Sequence, residues 1–461
     1  MKKQSAFSGN PSLHRGLASR HIQMIAIGGI IGTGLFLGAG KTINLAGPAI
    51  ILVYGIIGFI LYFVMRAMGE ILLSDLKYKS FLDFVADILG PVGGFFTGWT
   101  YWFSAAVTAM AEIIAIAGFT QFWFPELPAW IPALASALII MAINLIAVKL
   151  FGEVEFWSSL IKVIAICALI SIGLWLTLTS FQSPSGAVAS FGNIWNHGGI
   201  FPKGIFGFFA GFQIAIFAFN GIELLGTTAA EASNPEKTLP RAINTVPMRM
   251  LFFYMVTLAV IISVTPWTMI SPDKSPFVDM FMLIGLPAAA GFINFVVLTA
   301  AVSVCNSEIF STSRMLYGLA KSGDAPKLFG KLSKRSVPAN AIYFTSAFAF
   351  GGVLIVYFIP NVMSAFTLAT SLTAILIMCV WSVIVYTYIV YRKKRPELHE
   401  KSLYKMPCGI SMSWIAIGFF AFVAVLLALE KDTRIALEFV PFWFLFLAII
   451  RRIVQKKTKL G

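Results

Sequence analysis

A cluster of glycines interrupts the first long hydrophobic run of the chain, at residues 28–34 of the run 22–45. Glycine destabilises a helix, so this cluster predicts a break at which backbone N–H groups are exposed. Such groups at the start of a helix suit a carboxylate, because the helix dipole also favours negative charge there. The residues predicted to bind it are Gly28, Gly29, Gly32, Thr33 and Gly34. The alternative is a close contact between helices through small residues.

A second break is predicted in the sixth hydrophobic run, 204–228, where Asn220 and Gly221 precede Glu223. Backbone carbonyls released at this break suit an ammonium group. Matching breaks in two halves of a membrane chain are typical of a secondary transporter's substrate site. The residues predicted to contact the substrate here are Phe217, Ala218, Asn220 and Gly221. Asn220 and its neighbours would limit the size of the pocket.

Three ionisable residues lie deep within hydrophobic runs, where a charge is costly and usually functional. Glu223 could receive the ammonium, relay a proton, act as a gate, or link two helices while protonated. Glu112 could relay a proton or bond to a neighbouring helix. Lys162 could occupy the place of a cation and lose its proton when the pocket changes, or extend its ammonium to the surface.

Two further carboxylates allow other interpretations. Glu308 in the eighth run could pair with Arg314 or take part in function. Glu70 follows Arg66 by four residues, a spacing that predicts an ion pair on one helix face. The four histidines and four cysteines have no metal-ligand spacing, and no nucleophile–base constellation is evident. We therefore expect no cofactor, no metal and no enzymatic activity.

The elements that must position these residues are membrane-spanning helices. Apolar residues make up 58 % of the chain and charged residues 12 %, with a mean hydropathy of +0.86, outside the range of a soluble domain. Twelve runs are long enough to span, since about 20 residues cross a bilayer core. The twelve runs are 22–45, 48–70, 94–122, 129–148, 154–179, 204–228, 247–270, 288–313, 339–358, 362–390, 412–429 and 435–452. The fold class predicted is an all-α integral membrane protein with twelve transmembrane helices.

The net charge of +14 is explained by membrane topology rather than by nucleic acid. If the N-terminus is cytoplasmic, the outer side holds few of the 34 Lys and Arg residues. They are Lys41, Lys203, Lys274, Lys431 and Arg434. This bias places both termini in the cytoplasm, with the basic side near anionic lipid. The first 21 residues are polar and show no cleavable signal peptide.

Two sets of five runs follow one another, with the breaks at matching positions. An offset of an odd number of spans gives them opposite orientations, so we predict a 5+5 inverted repeat with helices 1 and 6 broken, plus two C-terminal helices. Pro48 and Pro247 are predicted to open the second and seventh spans. The predicted divisions are a tail 1–21, the first repeat 22–203, the second repeat 204–391, helices 11 and 12 with their loop 392–452, and a tail 453–461. A short amphipathic helix is predicted at residues 80–88.

Residues 20–36 resemble the opening of bacterial amino-acid permeases of the amino acid–polyamine–organocation superfamily. Segments similar to other parts of that family are 46–48, 68–70, 151–157 with Lys162, 217–223, 229–231, 234–236 and 313–320. Within the family, the narrower resemblance is to members that carry D-alanine, D-serine and glycine. It rests on residues 78–81, 96–103, 201–204, 226–231 and 399–407. Two residues depart from the family pattern, because Asn220 and Glu308 stand where small or apolar residues are expected.

The resemblance implies proton-coupled uptake of these small neutral amino acids across the bacterial inner membrane. It also implies that Lys162 replaces the sodium ion of related transporters, with Ser303 and Asn306 across from it on the eighth span. Glu112 and Glu223 are then candidates for proton linkage. Alternatives are a permease or exchanger for neutral L-amino acids and, more distantly, an amino-acid receptor that does not transport. The expected partners are small neutral amino acids, protons and the lipid bilayer.

Overall fold

The structure, a computed structural model, describes residues 31–78, 80–146, 148–184, 186–224 and 235–460. Within these ranges the chain forms α-helices, short 3-10 helices and one isolated antiparallel bridge between Gln182 and Val188. Two of the glycines predicted to bind the carboxylate, Gly28 and Gly29, lie outside the described residues.

Up to residue 224, the described helices are α1 (Thr33–Phe36), α2 (Gly38–Ala46), α3 (Ile50–Ser74), α4 (Phe81–Leu89), α5 (Pro91–Gln121), α6 (Trp130–Ile146), α7 (Val148–Leu178), α8 (Gly204–Ala210) and α9 (Phe212–Ala215). From residue 235 they are α10 (Pro235–Val264), α11 (Pro276–Leu283), α12 (Pro287–Lys321), α13 (Ala339–Phe358), α14 (Val362–Lys394), α15 (Pro396–Lys401), α16 (Gly409–Leu429) and α17 (Lys431–Leu460). The 3-10 helices are Gly47–Ala49, Phe191–Ile194, Ile216–Phe219, Trp267–Met269 and Lys327–Gly330.

Nine stretches of the described chain are long and apolar enough to cross a membrane. They are Gly38–Ser74, Pro91–Gln121, Glu155–Leu178, Leu239–Val264, Pro287–Lys321, Ala339–Phe358, Val362–Lys394, Gly409–Leu429 and Thr433–Ile453. Two shorter apolar helical stretches are Trp130–Ile146 and Gly204–Phe219. The expectation of an all-helical membrane protein is thereby confirmed. The twelve-span inverted repeat stays a prediction.

The beginning of the seventh span was predicted wrongly. Helix α10 begins at Pro235 and contains both Pro240 and Pro247, although the sequence placed its start at Pro247. Hydropathy reports where a helix becomes apolar, whereas the helix itself starts where backbone hydrogen bonding starts. The polar residues of 235–246 therefore extend α10 beyond its apolar part. The short helix predicted at residues 80–88 is confirmed as α4, which has a capping box between Ser80 and Asp83.

Helix α5 lies at the centre of the bundle. Of its apolar window, 83 % is buried, the highest share among the candidate spans of the described chain. It packs against α12, α14 and α13, and α4 covers its beginning. Because it is surrounded by other helices, its polar side chains face protein rather than lipid, as polar groups in a membrane span must.

A buried carboxylate ties the 395–406 segment to two long helices. Glu70 of α3 accepts hydrogen bonds from the Tyr388 hydroxyl at 2.9 Å and from the Met406 amide at 2.6 Å. Its other oxygen lies 2.5 Å from Nδ1 of His399. Helices α3, α14 and α15 meet here at one end of the bundle. We call this end the basic end, because α12 ends there in Lys321 and α14 in Arg392, Lys393 and Lys394.

The ion pair predicted between Arg66 and Glu70 is therefore wrong. Arg66 donates to the Asn244 side chain at 2.9 Å and to the backbone carbonyl of Lys405. The four-residue spacing makes a contact possible, but a fully buried carboxylate binds the donors that tertiary packing brings to it. Both residues thus anchor the same distant segment instead of each other.

A second anchor at the basic end joins α4 to the residue before α15. Nη2 of Arg395 lies 2.7 Å from Oδ2 of Asp87, and the Tyr78 hydroxyl donates to the same oxygen. The hydrogen bond from Tyr78, together with the Arg395 guanidinium, holds the pKa of Asp87 below its ordinary value. The carboxylate is therefore charged, and the contact retained, throughout the physiological pH range.

Substitution of Gly352 tests the packing around α5. A methyl group on Gly352 of α13 would lie 2.7 Å from the backbone carbonyl oxygen of Met110. We expect Gly352→Ala to lower the free energy of unfolding by about 1–3 kcal/mol, as overpacking does, measured by thermal unfolding in detergent micelles. Gly418→Ala is the control, because no atom lies within 4 Å of the added methyl. Equal unfolding midpoints for the two variants would contradict this packing.

Candidate functional site

The sixth hydrophobic run is broken where the sequence predicts it. Its 3-10 helix ends at Phe219, Asn220 is extended with φ −59° and ψ 141°, and Gly221 has φ 92°. A positive φ of this size favours glycine, which explains the residue type at the break. The chain thus leaves the helical hydrogen-bonding pattern within the apolar interior.

Two carbonyls at this break already have one partner each. The Phe217 carbonyl accepts from the Asn220 amide at 3.0 Å, and the Ala218 carbonyl accepts from the Tyr254 hydroxyl at 3.0 Å. A carbonyl oxygen has two lone pairs, so each keeps capacity for a ligand donor. Tyr254 was missed in the sequence, where nothing distinguishes it from the other aromatic residues of the spans.

The described part of the first run begins its helix just after Gly32. Gly32 is extended, and α1 starts at Thr33, one residue before Gly34. The first amides of a helix have no partner within it. The amides of Thr33 and Gly34 therefore lie at the open start of α1, and their binding of a carboxylate stays a prediction.

The start of α1 and the break of the sixth run touch each other. A Cβ atom on Gly34 would lie 2.6 Å from Cα and 2.8 Å from the backbone N of Ala218, closer than packed atoms approach. Only glycine therefore allows the first segment to lie against the second. This contact agrees with a role of the glycines at the substrate site. It is also the close contact through small residues that the alternative hypothesis predicts.

Helix α5 binds both breaks through one face. The Thr33 hydroxyl donates to Oε1 of Glu112 at 2.8 Å, and Nδ2 of Asn220 donates to the Thr108 hydroxyl at 3.0 Å. Thr108 and Glu112 are four residues apart, so they lie one above the other on the helix. Two residues singled out in the sequence, Glu112 and Asn220, are thereby brought to one place.

A small cavity lies between the breaks and α5. Its volume is about 10 Å³, room for about one water molecule. The residues that line it are Gly32, Gly34, Thr108, Glu112, Phe217, Ala218, Asn220 and Val304. Glu112 is 1 % exposed, and its Oε2 has no hydrogen-bond partner among the described residues. An acceptor left without a partner in a polar cavity suits a ligand donor or water.

Lys162 lies in a fully buried charged group. Its Nζ donates to the Ser303 hydroxyl at 3.0 Å, and that hydroxyl donates to the carboxylate of Glu155 at 2.9 Å. All three side chains have no exposed surface. The predicted pairing of Lys162 with Ser303 is found. Glu155 received no role in the sequence, although it lies seven residues before Lys162 and so on the same face of α7.

Asn306 lies on the same helix as Ser303 but has a different partner. Its side-chain oxygen accepts from Nδ2 of Asn144 at 2.9 Å. This bond ties α12 to α6. In the described chain, Ser303 therefore contacts Lys162, whereas Asn306 contacts Asn144 of α6.

Glu223 lies beyond the cavity, on the side of the basic end. Nε1 of Trp381 donates to its Oε2 at 3.2 Å, and the Tyr101 hydroxyl lies within hydrogen-bonding reach of the carboxylate. Glu223 is 2 % exposed. The acid is therefore held by aromatic donors from α5 and α14 rather than lining the cavity itself. Neither donor was singled out in the sequence.

Broken helical segments around a buried cavity, within a bundle of membrane-spanning helices, define the class of secondary transporters. The family model for amino acid permeases matches residues 21–459, nearly the whole chain. The chain belongs to the amino acid permease family. Its family and relatives are transporters, which supports the expectation that it is not an enzyme.

Relatives with different named substrates match over almost their full length. The D-serine/D-alanine/glycine transporter of Escherichia coli K12 is 59 % identical over 446 residues, which are 97 % of this chain and 95 % of that protein. The amino-acid permease AapA of Bacillus subtilis is 48 % identical over 98 % of this chain and 97 % of its own length. The aromatic amino acid transport protein AroP of Escherichia coli O6:H1 is 42 % identical over 97 % of each chain.

Substitution of Gly34 tests whether the contact of the two breaks is needed for activity. In Gly34→Ala the methyl group would meet the backbone of Ala218, so the lining groups must move. We expect amino-acid uptake in proteoliposomes to fall on the order of 100-fold, as displacement by about 1 Å can do in a catalytic site. Gly318→Ala on α12 is the control, because its methyl meets no atom within 4 Å. Wild-type uptake by Gly34→Ala would show that the close contact is dispensable.

Proposed function

We propose that the protein is a secondary active transporter that imports D-alanine, D-serine and glycine by proton symport with alternating access. The observation that carries this proposal is the meeting of the start of α1 with the break of the sixth run, at a cavity lined by an unsatisfied carboxylate oxygen of Glu112. The named substrates of the relative at 59 % identity support the choice of amino acids.

The substrate would lie between the two breaks. Its carboxylate would bind the first amides of α1, at Gly32–Gly34, and its ammonium the carbonyls of 217–221. Glu112 already contacts Thr33 at 2.8 Å, so a second carboxylate at these amides would place two like charges together. Two carboxylates at one site disfavour each other's charged form. Substrate binding would therefore favour a proton on Glu112 or its movement away from Thr33.

Lys162 would be the residue that replaces a coupling cation. Its hydrogen bond to Ser303 places its charge against Glu155 in a fully buried group. Loss of its proton would leave Glu155 without a cation close by, so protonation of Lys162 and the packing of α7 against α12 are linked. Glu223, held by Trp381, would act in gating or proton relay, and Asn306 would fix the position of α12.

The topology proposed with this function has twelve spans in a 5+5 inverted repeat. The first repeat would comprise residues 22–203 and the second 204–391, followed by helices 11 and 12 in 392–452. The tails 1–21 and 453–461 would lie in the cytoplasm, and the protein in the bacterial inner membrane. The basic end would then be the cytoplasmic end, in agreement with the positive-inside rule.

Accumulation of labelled D-alanine in proteoliposomes tests the proposed function directly. We expect uptake above equilibrium only with an inward proton gradient, and competition by glycine and D-serine but weakly by L-alanine. Uptake blocked only by L-amino acids would favour the neutral L-amino acid permease. Uptake indifferent to the gradient would favour an exchanger and remove proton symport from the proposal.

The Lys162→Met variant tests the coupling role. Removing the charge while keeping most of the side-chain volume is expected to abolish gradient-driven accumulation, because nothing else at this place would replace the cation. Exchange of internal for external substrate is measured in the same vesicles, since it requires the cavity but no net proton movement. Lys327→Met, an exposed position, is the matched control. Wild-type accumulation by Lys162→Met would contradict the coupling role of Lys162.

A further inference from the structure

Glu308 is a buried carboxylate to which the proposed function gives no role. It lies on α12, one turn after Val304, which lines the cavity. Helix α12 runs from Pro287 to Lys321, so Glu308 lies between the cavity and the basic end. It is 7 % exposed, compared with 1 % for Glu112 and 2 % for Glu223. Glu308 is therefore the most accessible of the three carboxylates around the cavity.

Titratable groups from three elements surround Glu308. It is close enough to Glu223 and Glu112 for their charges to interact. Its charge also acts on the Tyr101 hydroxyl of α5 and on the Cys305 thiol of its own helix. Three neighbouring carboxylates in an apolar environment disfavour one another's charged form. Either a cation balances the charge or at least one of them binds a proton.

The cations of the described chain near this group are engaged elsewhere. Lys162 interacts with Glu155 and Glu112 and donates to Ser303. On the helix of Glu308, Arg314 donates to the backbone carbonyl of Phe310 at 2.9 Å. Each of these two cations therefore has a hydrogen-bond partner of its own.

A buried hydroxyl lies between the cavity and the basic end on α5. Ser104 is 1 % exposed, and its Oγ has no hydrogen-bond partner among the described residues. Tyr101, Ser104, Thr108 and Glu112 follow one another at helical spacing and so share one face of α5. Such a hydroxyl suits a bridging water. This polar face of α5 therefore continues from the cavity towards the basic end, past the hydrogen bond between Asn220 and Thr108.

We propose that Glu308 is an additional proton-binding residue of transport, which takes up a proton with the substrate and releases it to water at the basic end when the contact between Thr108 and Asn220 opens. The carboxylate binds the proton on one oxygen and transfers it to water, so no other reactant is needed. This proposal rests on the proton symport proposed above. It assigns a step of the transport cycle to Glu308, which departs from the family pattern.

The test compares wild type with Glu308→Gln in proteoliposomes. Labelled D-alanine uptake and proton influx, reported by an enclosed pH-sensitive dye, are measured in the same vesicles at zero membrane potential. We expect the ratio of protons to substrate to fall by about one in Glu308→Gln, because one carboxyl binds one proton. Exchange of internal for external substrate should be retained. Glu126→Gln, at an exposed loop position, is the matched control and should keep the wild-type ratio.

An unchanged ratio in Glu308→Gln would overturn the role of Glu308 while leaving proton symport in place. Wild-type uptake without proton influx would overturn proton symport and this proposal together. Uptake driven by a sodium gradient alone would show that a metal cation, not a proton, binds at these carboxylates.

A second variant keeps the proposal testable if Glu308→Gln does not fold. Glu308→Asp retains the carboxyl group on a side chain that is one methylene shorter, so the carboxyl lies farther from its neighbours. We expect the wild-type proton ratio with a shifted pH dependence of uptake. A pH profile identical to that of wild type would count against a proton on Glu308, since a merely structural carboxylate would lower activity without moving the profile.

Discussion

The structure depends on one constraint, which is that interrupted backbone in an apolar environment must be covered by protein. The start of α1, in the first hydrophobic run, and the break of the sixth run cover each other. Gly34 lets the first lie on the backbone of Ala218, and α5 supplies a side chain to each break. Bare backbone in a bilayer costs several kcal/mol for each group without a partner. The central burial of α5 and the position of the cavity both follow from this requirement.

The sequence predicted the breaks because glycine in a long apolar run has few structural explanations. The sequence, through its family resemblance, also implied that Ser303 lies across from Lys162, and the two side chains are hydrogen-bonded. It failed for Arg66, whose partners Asn244 and Lys405 come from distant segments. Helical spacing makes a pair possible, but tertiary packing decides which donors reach a buried acceptor. The aromatic donors were missed for the same reason, because 14 % of the chain is aromatic and residue type alone does not select a hydrogen-bonding ring.

The charges around the cavity are distributed unevenly. On one side, Lys162 and Glu155 face each other across Ser303, so that the buried group is close to neutral. On the side of the basic end, Glu223 and Glu308 lie near each other. A transporter must change its accessible side without exposing uncompensated charge to lipid. The compact neutral group suits the packing of α7 on α12, whereas the two carboxylates are buried on the side of the basic end.

The contacts of Glu70 and Arg66 with the 395–406 segment have a consequence for variation among sequences. Glu70 binds the main-chain amide of Met406, and Arg66 binds the main-chain carbonyl of Lys405. The main-chain carbonyl is present in every residue type and the amide in all but proline, and the side chain of Lys405 is exposed. The identity of residue 405 is therefore nearly neutral, while insertion or deletion of a residue in this segment would move both partners out of reach. At residues 405 and 406, these two contacts therefore depend on the length of the segment more than on the side chains.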